Sequence, residues 1–207
     1  MAIQMNGKLI FRRGTLTVGL IPALLLLAML ILQPSGMALT SLLAAVIHEG
    51  GHLLAAKKLG VPLRSLDIGP LGATIKIRSG LISYGKEFLL CAAGPAANFL
   101  SAGAIYFLFR LSVTGEKFTV DFCSVSMMLG LLNLLPVESF DGGRMLCCAV
   151  GSFFGPAAAC SVLRIFSFLS VTGLWMVSVY LLLRFGCSLS LFVFTLSLFY
   201  RIYIHGE

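Results

Sequence analysis

One apolar stretch places two imidazoles and a carboxylate where a folded chain has few ways to accommodate them. Residues Leu42 to Lys58 read LLAAVIHEGGHLLAAKK and carry His48, Glu49 and His52. On an α-helix, residues four apart share a face, so both imidazoles can reach one metal ion. Glu49 lies beside them, where a carboxylate can take a proton from a water molecule at that metal. The stretch therefore predicts a helix that carries a metal site.

A simpler interpretation of the same stretch is open. His48 and His52 can be polar helix residues that are hydrogen-bonded to neighbouring backbone or side chains. Burial among leucines and alanines favours the metal, because such groups are costly there unless they pair, hydrogen-bond or bind an ion. Gly50 and Gly51 weaken the helix by about 1 kcal/mol each relative to alanine. They either let another backbone approach the metal or serve ordinary small-residue packing.

Composition assigns the chain to the membrane proteins. Of its 207 residues, 58% are hydrophobic and only 11% are charged, which is more apolar surface than a water-soluble domain needs. The net charge is +7, but the basic residues are scattered, mostly singly, between apolar runs. Loop charges that set membrane orientation explain them better than nucleic-acid binding does. No nucleic-acid partner is expected.

The apolar runs predict an all-α polytopic membrane protein with about six transmembrane helices. Both ends are expected in the cytosol, and most Lys and Arg residues then lie on the cytosolic side. A seven-span version, in which residues 145–163 also cross, fits the charges nearly as well. The six predicted spans cover about residues 15–32, 37–56, 88–109, 122–135, 165–183 and 188–200.

A small membrane-associated β-hairpin is predicted after the second helix. Residues Thr74–Arg78 alternate apolar and polar side chains, and Gly69–Gly72 before them are typical of a turn. An exposed strand edge could hold an extended peptide by β-augmentation, which makes Ile75 and Ile77 candidate substrate-binding residues. A hairpin that merely connects two helices is the alternative.

Two further motifs interrupt apolar runs. Gly94–Asn98 combines small residues with a proline, which permits close helix packing, and packing is also the favoured role of Asn98. Pro136 and the paired glycines after Asp141 break a helix at membrane depth, where irregular backbone must be surrounded by protein or a polar cavity. Asp141 is thus a candidate third metal ligand, although taken alone it could cap the helix that resumes after it.

Together these motifs resemble the site-2 protease family of intramembrane zinc metalloproteases. His48–His52 matches the family's H-E-x-x-H, and Asn133–Gly142 resembles its N-x-x-P-x-P-x-x-D-G signature. The resemblance implies one Zn²⁺ per chain, held by His48, His52 and Asp141, with Glu49 as the general base. Asn133 and Pro136 of the same signature are added to the candidate substrate-binding residues. The family usually has a second proline where this chain has Glu138.

The resemblance implies a zinc-dependent metalloendopeptidase that cleaves in or near a transmembrane segment of a membrane-tethered protein. The expected organisation is a single protease domain over 1–207, with a catalytic core at about 37–150 and accessory spans at about 160–203. The layout is most similar to the stage IV sporulation protein FB branch, without that branch's CBS domain, and this suggests regulated intramembrane proteolysis of a sigma-factor precursor during sporulation.

Partners and location follow from the same resemblance. The expected partners are a membrane-tethered protein substrate, the lipid bilayer and, in some members, an inhibitory membrane protein. The expected location is a bacterial plasma membrane, with the active site nearer the cytosolic face. The competing class is a metal-binding membrane transporter or non-catalytic scaffold. A single polar cluster without an internal repeat fits a transporter poorly.

Overall fold

The computed structural model describes residues 3–4, 8–11, 14–18, 36–61, 63–69, 72–77, 82–185 and 189–203. The chain divides into two compact units, Met1–Leu131 and Leu132–Glu207, and each is described by itself. The strands are β1 (Ile3–Gln4), β2 (Lys8–Phe11), β3 (Gly14–Val18), β4 (Leu63–Gly69) and β5 (Gly72–Ile77). The helices are α1 (Met37–Leu59), α2 (Tyr84–Arg110), α3 (Glu116–Asn133), α4 (Asp141–Phe154), α5 (Pro156–Phe185) and α6 (Leu189–Tyr203).

The first unit combines the strands with α1, α2 and most of α3. The strands form one sheet in the order β1-β2-β3-β4-β5. Neighbours pair antiparallel except β3 and β4, which run parallel. Parallel neighbours need a long crossover, and here α1 lies in the chain between β3 and β4. The helix that carries the two histidines therefore belongs to this crossover.

Helix α1 packs against α2 and ends on a glycine. Gly60 adopts φ 65° and ψ 29°, the left-handed conformation that closes many helices. Lys57 and Lys58 lie in the last turn, where a positive charge interacts favourably with the helix dipole. Just beyond, Val61 joins Ala56 and Leu90 of α2 in a buried cluster. This cluster holds the end of α1 against the beginning of α2.

In the second unit, two helices follow one another almost without a linker. Helix α4 ends at Phe154 and α5 begins at Pro156, so Gly155 alone separates them. Gly155 has φ 83°, a conformation that L side chains rarely adopt, and Pro156 suits the first turn of a helix. Helices α5 and α6 pack through buried polar side chains, with the hydroxyls of Ser178 and Thr195 3.3 Å apart.

The predicted fold class, all-α with about six transmembrane helices and a small hairpin, is wrong. Across the described ranges, three helices are long and apolar enough to cross a membrane: Met37–Leu59, Tyr84–Arg110 and Pro156–Arg184. Helix α3 includes three charged residues, Glu116, Lys117 and Asp121. Helices α4 and α6 have 14 and 15 residues, or about 21 and 22 Å, against a hydrocarbon core of about 30 Å.

The β structure differs from the prediction as well. Strands β4 and β5 pair antiparallel, with Leu66 opposite Ile75, but they belong to a five-stranded sheet rather than to an isolated hairpin. Strand β3, Gly14–Val18, occupies the beginning of the predicted first span. The rest of that span, residues 19–32, lies outside the described residues. The prediction of one protease domain over 1–207 stays a prediction.

Candidate metal centre

Helix α1 brings the two histidines of the H-E-x-x-H motif onto one buried face. His48 and His52 are 6% and 7% exposed. Their Nε2 atoms lie 3.2 Å apart, and their rings meet edge to face. Two nitrogens bound to a tetrahedral zinc at about 2.0–2.1 Å would be about 3.4 Å apart. The observed separation therefore suits two ligands that converge on one metal ion.

A backbone carbonyl orients His52. Its Nδ1 lies 2.8 Å from the carbonyl oxygen of Leu90 on α2. Only an N–H can donate to that oxygen, so Nδ1 carries a proton, and in the neutral ring Nε2 keeps a lone pair. Metal-binding histidines characteristically donate the other ring N–H to a carbonyl or carboxylate. The sequence gives no sign of this contact, because any residue at position 90 supplies the same carbonyl.

The rings occupy space that glycine leaves free. A Cβ at Gly94 of α2 would lie 2.7 Å from His48 Nε2 and still closer to the His52 ring. A Cβ at Gly51 would lie 2.7 Å from the Cβ of Ala97. By contrast, a Cβ at Gly50 would meet nothing within 4 Å among the described residues. Of the two motif glycines, Gly51 is the one that permits a close approach of α2.

Asn98 touches the second nitrogen of His48. Its Nδ2 lies 3.2 Å from His48 Nδ1, and the Asn98 side chain is fully buried. Sequence reasoning assigned this residue to packing and missed the contact. The available signal was an amide inside an apolar helix, one turn after the glycine that makes room for the rings.

In the second unit, the loop from Asn133 to Asp141 is held by its own backbone and by α5. The N–H groups of Val137 and Phe140 donate to nearby loop carbonyls at 2.7 and 2.9 Å. The N–H of Glu138 donates to the hydroxyl of Ser167 at 3.0 Å. A proline at position 138 would have no N–H to donate, so this chain uses its departure from the family pattern to fix the loop.

Asp141 begins the helix that follows this loop. A Cβ at Gly142 or Gly143 would collide with the backbone of Leu134 or Val137, respectively, so the two glycines let the loop pack directly on the first turn of α4. The residue before the helix is Phe140, which makes no side-chain capping hydrogen bond. Asp141 itself lies in the first turn and is half-buried. The N-cap position of α4 is therefore occupied by Phe140 rather than by Asp141.

Three side chains offer the donors of a metal site. His48 and His52 in the first unit each offer an imidazole nitrogen, and Asp141 in the second unit offers a carboxylate oxygen. Two imidazoles and a carboxylate are a known donor set of catalytic zinc, which keeps a further position open for water or substrate. The donor chemistry, the Nε2 separation and the space left by Gly94 all fit one zinc ion.

The remaining predicted residues are placed as follows. Glu49 is half-buried on α1, and its Oε2 is shielded from solvent. Asn133 is the last residue of α3, and Pro136 lies in the loop after it; both are half-buried. Ile75 and Ile77 lie in β5, and only their backbone is described. The catalytic and substrate-binding roles of these five residues stay predictions.

Comparison with known proteins supports the motif assignment. The model of peptidase family M50 matches residues 37–122, which include the H-E-x-x-H motif and Gly94–Asn98. A zinc metalloprotease of Methanocaldococcus jannaschii is 28% identical over 54% of this chain and 33% of its own length. Stage IV sporulation protein FB of Bacillus subtilis is 28% identical over 51% of this chain and 37% of its own length.

The resemblance to the site-2 protease family is confirmed. The chain spans about a third of the length of these two relatives. The solved structure of the site-2 protease from Methanocaldococcus jannaschii has a TM-score of 0.62 and covers 93% of this chain and 91% of that one, at 18% identity. At this identity the likeness shows a common fold. The three helices that are long and apolar enough to cross a membrane show an integral membrane protein.

Proposed function

We propose that this chain is a zinc-dependent metalloendopeptidase that hydrolyses a peptide bond in or near a transmembrane segment. The observation that carries the proposal is the pair of buried imidazole Nε2 atoms 3.2 Å apart on α1, in a segment that matches peptidase family M50. Relatives that match more than half of this chain are named as zinc metalloproteases or putative zinc metalloproteases. A buried pair of this geometry needs a hydrogen-bonded or metal-bound arrangement to offset the cost of burial.

The proposed zinc ligands are His48, His52 and Asp141, one ion per chain. When bound there, zinc supplies a Lewis acid and lowers the pKa of its bound water toward about 7. The Glu49 carboxylate accepts a proton from the attacking water as the water oxygen bonds to the scissile carbonyl carbon. Glu49 then returns that proton to the departing amine nitrogen as the C–N bond breaks. Water is consumed and no other co-reactant is needed.

The proposed substrate is a protein segment that becomes extended before cleavage. A helical segment hydrogen-bonds its own carbonyls, so it must unwind locally to present one to the site. Strand β5 supports this step, because within the described sheet it pairs with β4 on one side only. An extended peptide could add along the other edge, beside Ile75 and Ile77. Asn133 and Pro136 are the other proposed substrate-binding residues.

The wider setting is inferred from the family. The substrate is a membrane-tethered protein, for which a sigma-factor precursor is the first candidate, and the process is regulated intramembrane proteolysis as in sporulation. An inhibitory membrane protein would be the corresponding regulator. Lys57 and Lys58 lie in the last turn of α1, less than two turns after His52. Positive residues favour the cytosolic side, which supports an active site nearer that face of a bacterial plasma membrane.

A paired cleavage assay tests this function. A membrane-tethered sigma-factor precursor is co-expressed with the wild type, Glu49→Gln or Glu116→Gln, and zinc is measured on each purified protein. Glu116 is exposed in the first turn of α3, so its substitution is the matched control. We expect cleavage by the wild type and Glu116→Gln, and none by a Glu49→Gln protein that still binds about one zinc.

Other outcomes have definite meanings. Equal cleavage by the wild type and Glu49→Gln would remove Glu49 from the chemistry. Zinc binding without cleavage of this precursor or of other single-span membrane proteins would favour the transporter or scaffold alternative.

A further inference from the structure

The hydrogen bonds around the two imidazoles form a chain with a defined direction. His52 Nδ1–H donates to the Leu90 carbonyl, so His52 Nε2 is an acceptor. His48 Nε2 lies 3.2 Å from that acceptor, and in the neutral pair His48 Nε2 is the donor of this contact. His48 Nδ1 is then an acceptor, and Asn98 Nδ2 donates to it at 3.2 Å. Each step follows from the one before, because a neutral imidazole has one donor and one acceptor nitrogen.

Binding a metal at both Nε2 atoms requires one change in this chain. His48 Nε2 must give up its proton to become a ligand, and the neutral ring then carries the proton on Nδ1. A proton on His48 Nδ1 would point at the Asn98 NH₂ group, which cannot accept it. Rotation of the Asn98 amide by half a turn exchanges its nitrogen and oxygen and presents Oδ1 at the same position.

The amide oxygen is available for this role. Asn98 Oδ1 is buried and accepts no hydrogen bond within the described part of the chain. Buried polar atoms normally have a partner. The rotation therefore satisfies the His48 Nδ1–H and the Asn98 oxygen together.

We propose that Asn98 is a positioning residue that accepts a hydrogen bond from His48 Nδ1–H and thereby holds His48 as a zinc ligand. This inference rests on the proposed zinc site and goes beyond its ligands. His52 receives the equivalent support from the Leu90 backbone, which a side-chain substitution leaves in place. The two ligands differ in this respect, since the contact to His48 Nδ1 comes from a side chain and the contact to His52 Nδ1 comes from the backbone.

The test measures zinc affinity by chelator competition on the purified, detergent-solubilised full chain. Partners of metal-bound histidines are typically worth 10- to 100-fold in metal affinity or activity, so Asn98→Ala is expected to bind zinc 10- to 100-fold more weakly. Asn98→Asp offers only acceptor oxygens and is expected to stay within about threefold of the wild type. Ser126→Ala removes another fully buried polar side chain from the same unit and is expected to bind zinc as the wild type does.

The variants separate this inference from the site on which it rests. Equal zinc affinity of the wild type and Asn98→Ala would overturn the positioning role while leaving the site in place. Equal zinc affinity of the wild type and His48→Ala would overturn the site itself. If Asn98→Ala does not fold, the zinc affinity of Asn98→Asp tests the positioning role. If Asn98 served packing alone, the buried charge of Asn98→Asp would weaken zinc binding as much as Asn98→Ala would. That result would contradict the proposal.

Discussion

At the residue scale, the site depends on a glycine that leaves room for the two histidine rings. Gly94 has no side chain, and a Cβ there would press on both histidine rings. Real Cβ atoms do not approach other heavy atoms so closely, so the rings or the helices would have to move. The identity of residue 94 thus affects the two metal ligands although it offers no donor of its own.

Gly94→Ala is expected to weaken zinc binding at least tenfold, because displaced rings no longer present both Nε2 atoms to one point. The matched control is Gly103→Ala on the same helix, where an added Cβ would meet nothing within 4 Å among the described residues. That control is expected to bind zinc normally and to stabilise α2 by about 0.5–1 kcal/mol. Zinc content and the thermal unfolding midpoint measure both effects, and normal zinc binding by Gly94→Ala would contradict the account.

Sequence alone predicted the ligand pair but not its supports. His48 and His52 are four residues apart, and helical periodicity is enough to place them together. Their partners, Asn98 and the Leu90 carbonyl, are 50 and 38 residues away. Contacts at that separation depend on how α2 packs against α1, which local periodicity does not specify.

At the element scale, the loop before α4 is anchored by a hydrogen bond that the family's proline could not make. The donor is the Glu138 N–H and the acceptor is the Ser167 hydroxyl, which is 1% exposed. The Glu138 side chain itself is exposed. The backbone of this residue therefore matters more to the loop than its carboxylate does.

Glu138→Pro is expected to destabilise the second unit by about 1 kcal/mol, the usual net value of one hydrogen bond. Glu138→Ala keeps the N–H and should be nearly neutral. A double-mutant cycle of Glu138→Pro with Ser167→Ala, measured by reversible unfolding, tests the assignment. Both substitutions remove the same hydrogen bond, so their effects on the free energy of unfolding should not be additive. Fully additive effects would mean that this bond does not stabilise the loop.

The strands show why the element prediction was incomplete. Residues Gly14–Val18 form β3, yet they lead into an apolar run whose length indicated a helix. Strand β3 pairs in parallel with β4, so that Leu16 lies opposite Leu66. A pairing between strands separated by an entire helix leaves no local sequence signature.

At the scale of the whole molecule, hydrophobicity identified a membrane protein but predicted more spans than the described residues contain. The predicted span at about 122–135 lies in α3, which includes three charged residues. The predicted span at about 188–200 lies in α6, which is shorter than the bilayer core. The division at Leu131 and Leu132 also falls inside the region predicted as one catalytic core.

Helix α5 offers a direct test of membrane crossing. Leu169 lies near the middle of α5 and is exposed, as expected of a lipid-facing side chain. Leu169→Arg is expected to oppose insertion by about 2.5–3.5 kcal/mol and to lower the carbonate-resistant membrane fraction, whereas Leu169→Ala should not. An unchanged fraction for the arginine variant would show that position 169 does not face the hydrocarbon core.

The central claim is a single zinc ion held by two imidazoles and a carboxylate, and X-ray absorption at the zinc edge tests it most directly. The chain also has six cysteines, and thiolate ligation gives a Zn–S distance of about 2.3 Å. The account predicts about one zinc per chain with nitrogen and oxygen neighbours at about 2.0–2.2 Å, including two histidines, and loss of this zinc in His52→Ala. A spectrum dominated by sulfur, or zinc retained in His52→Ala, would contradict it.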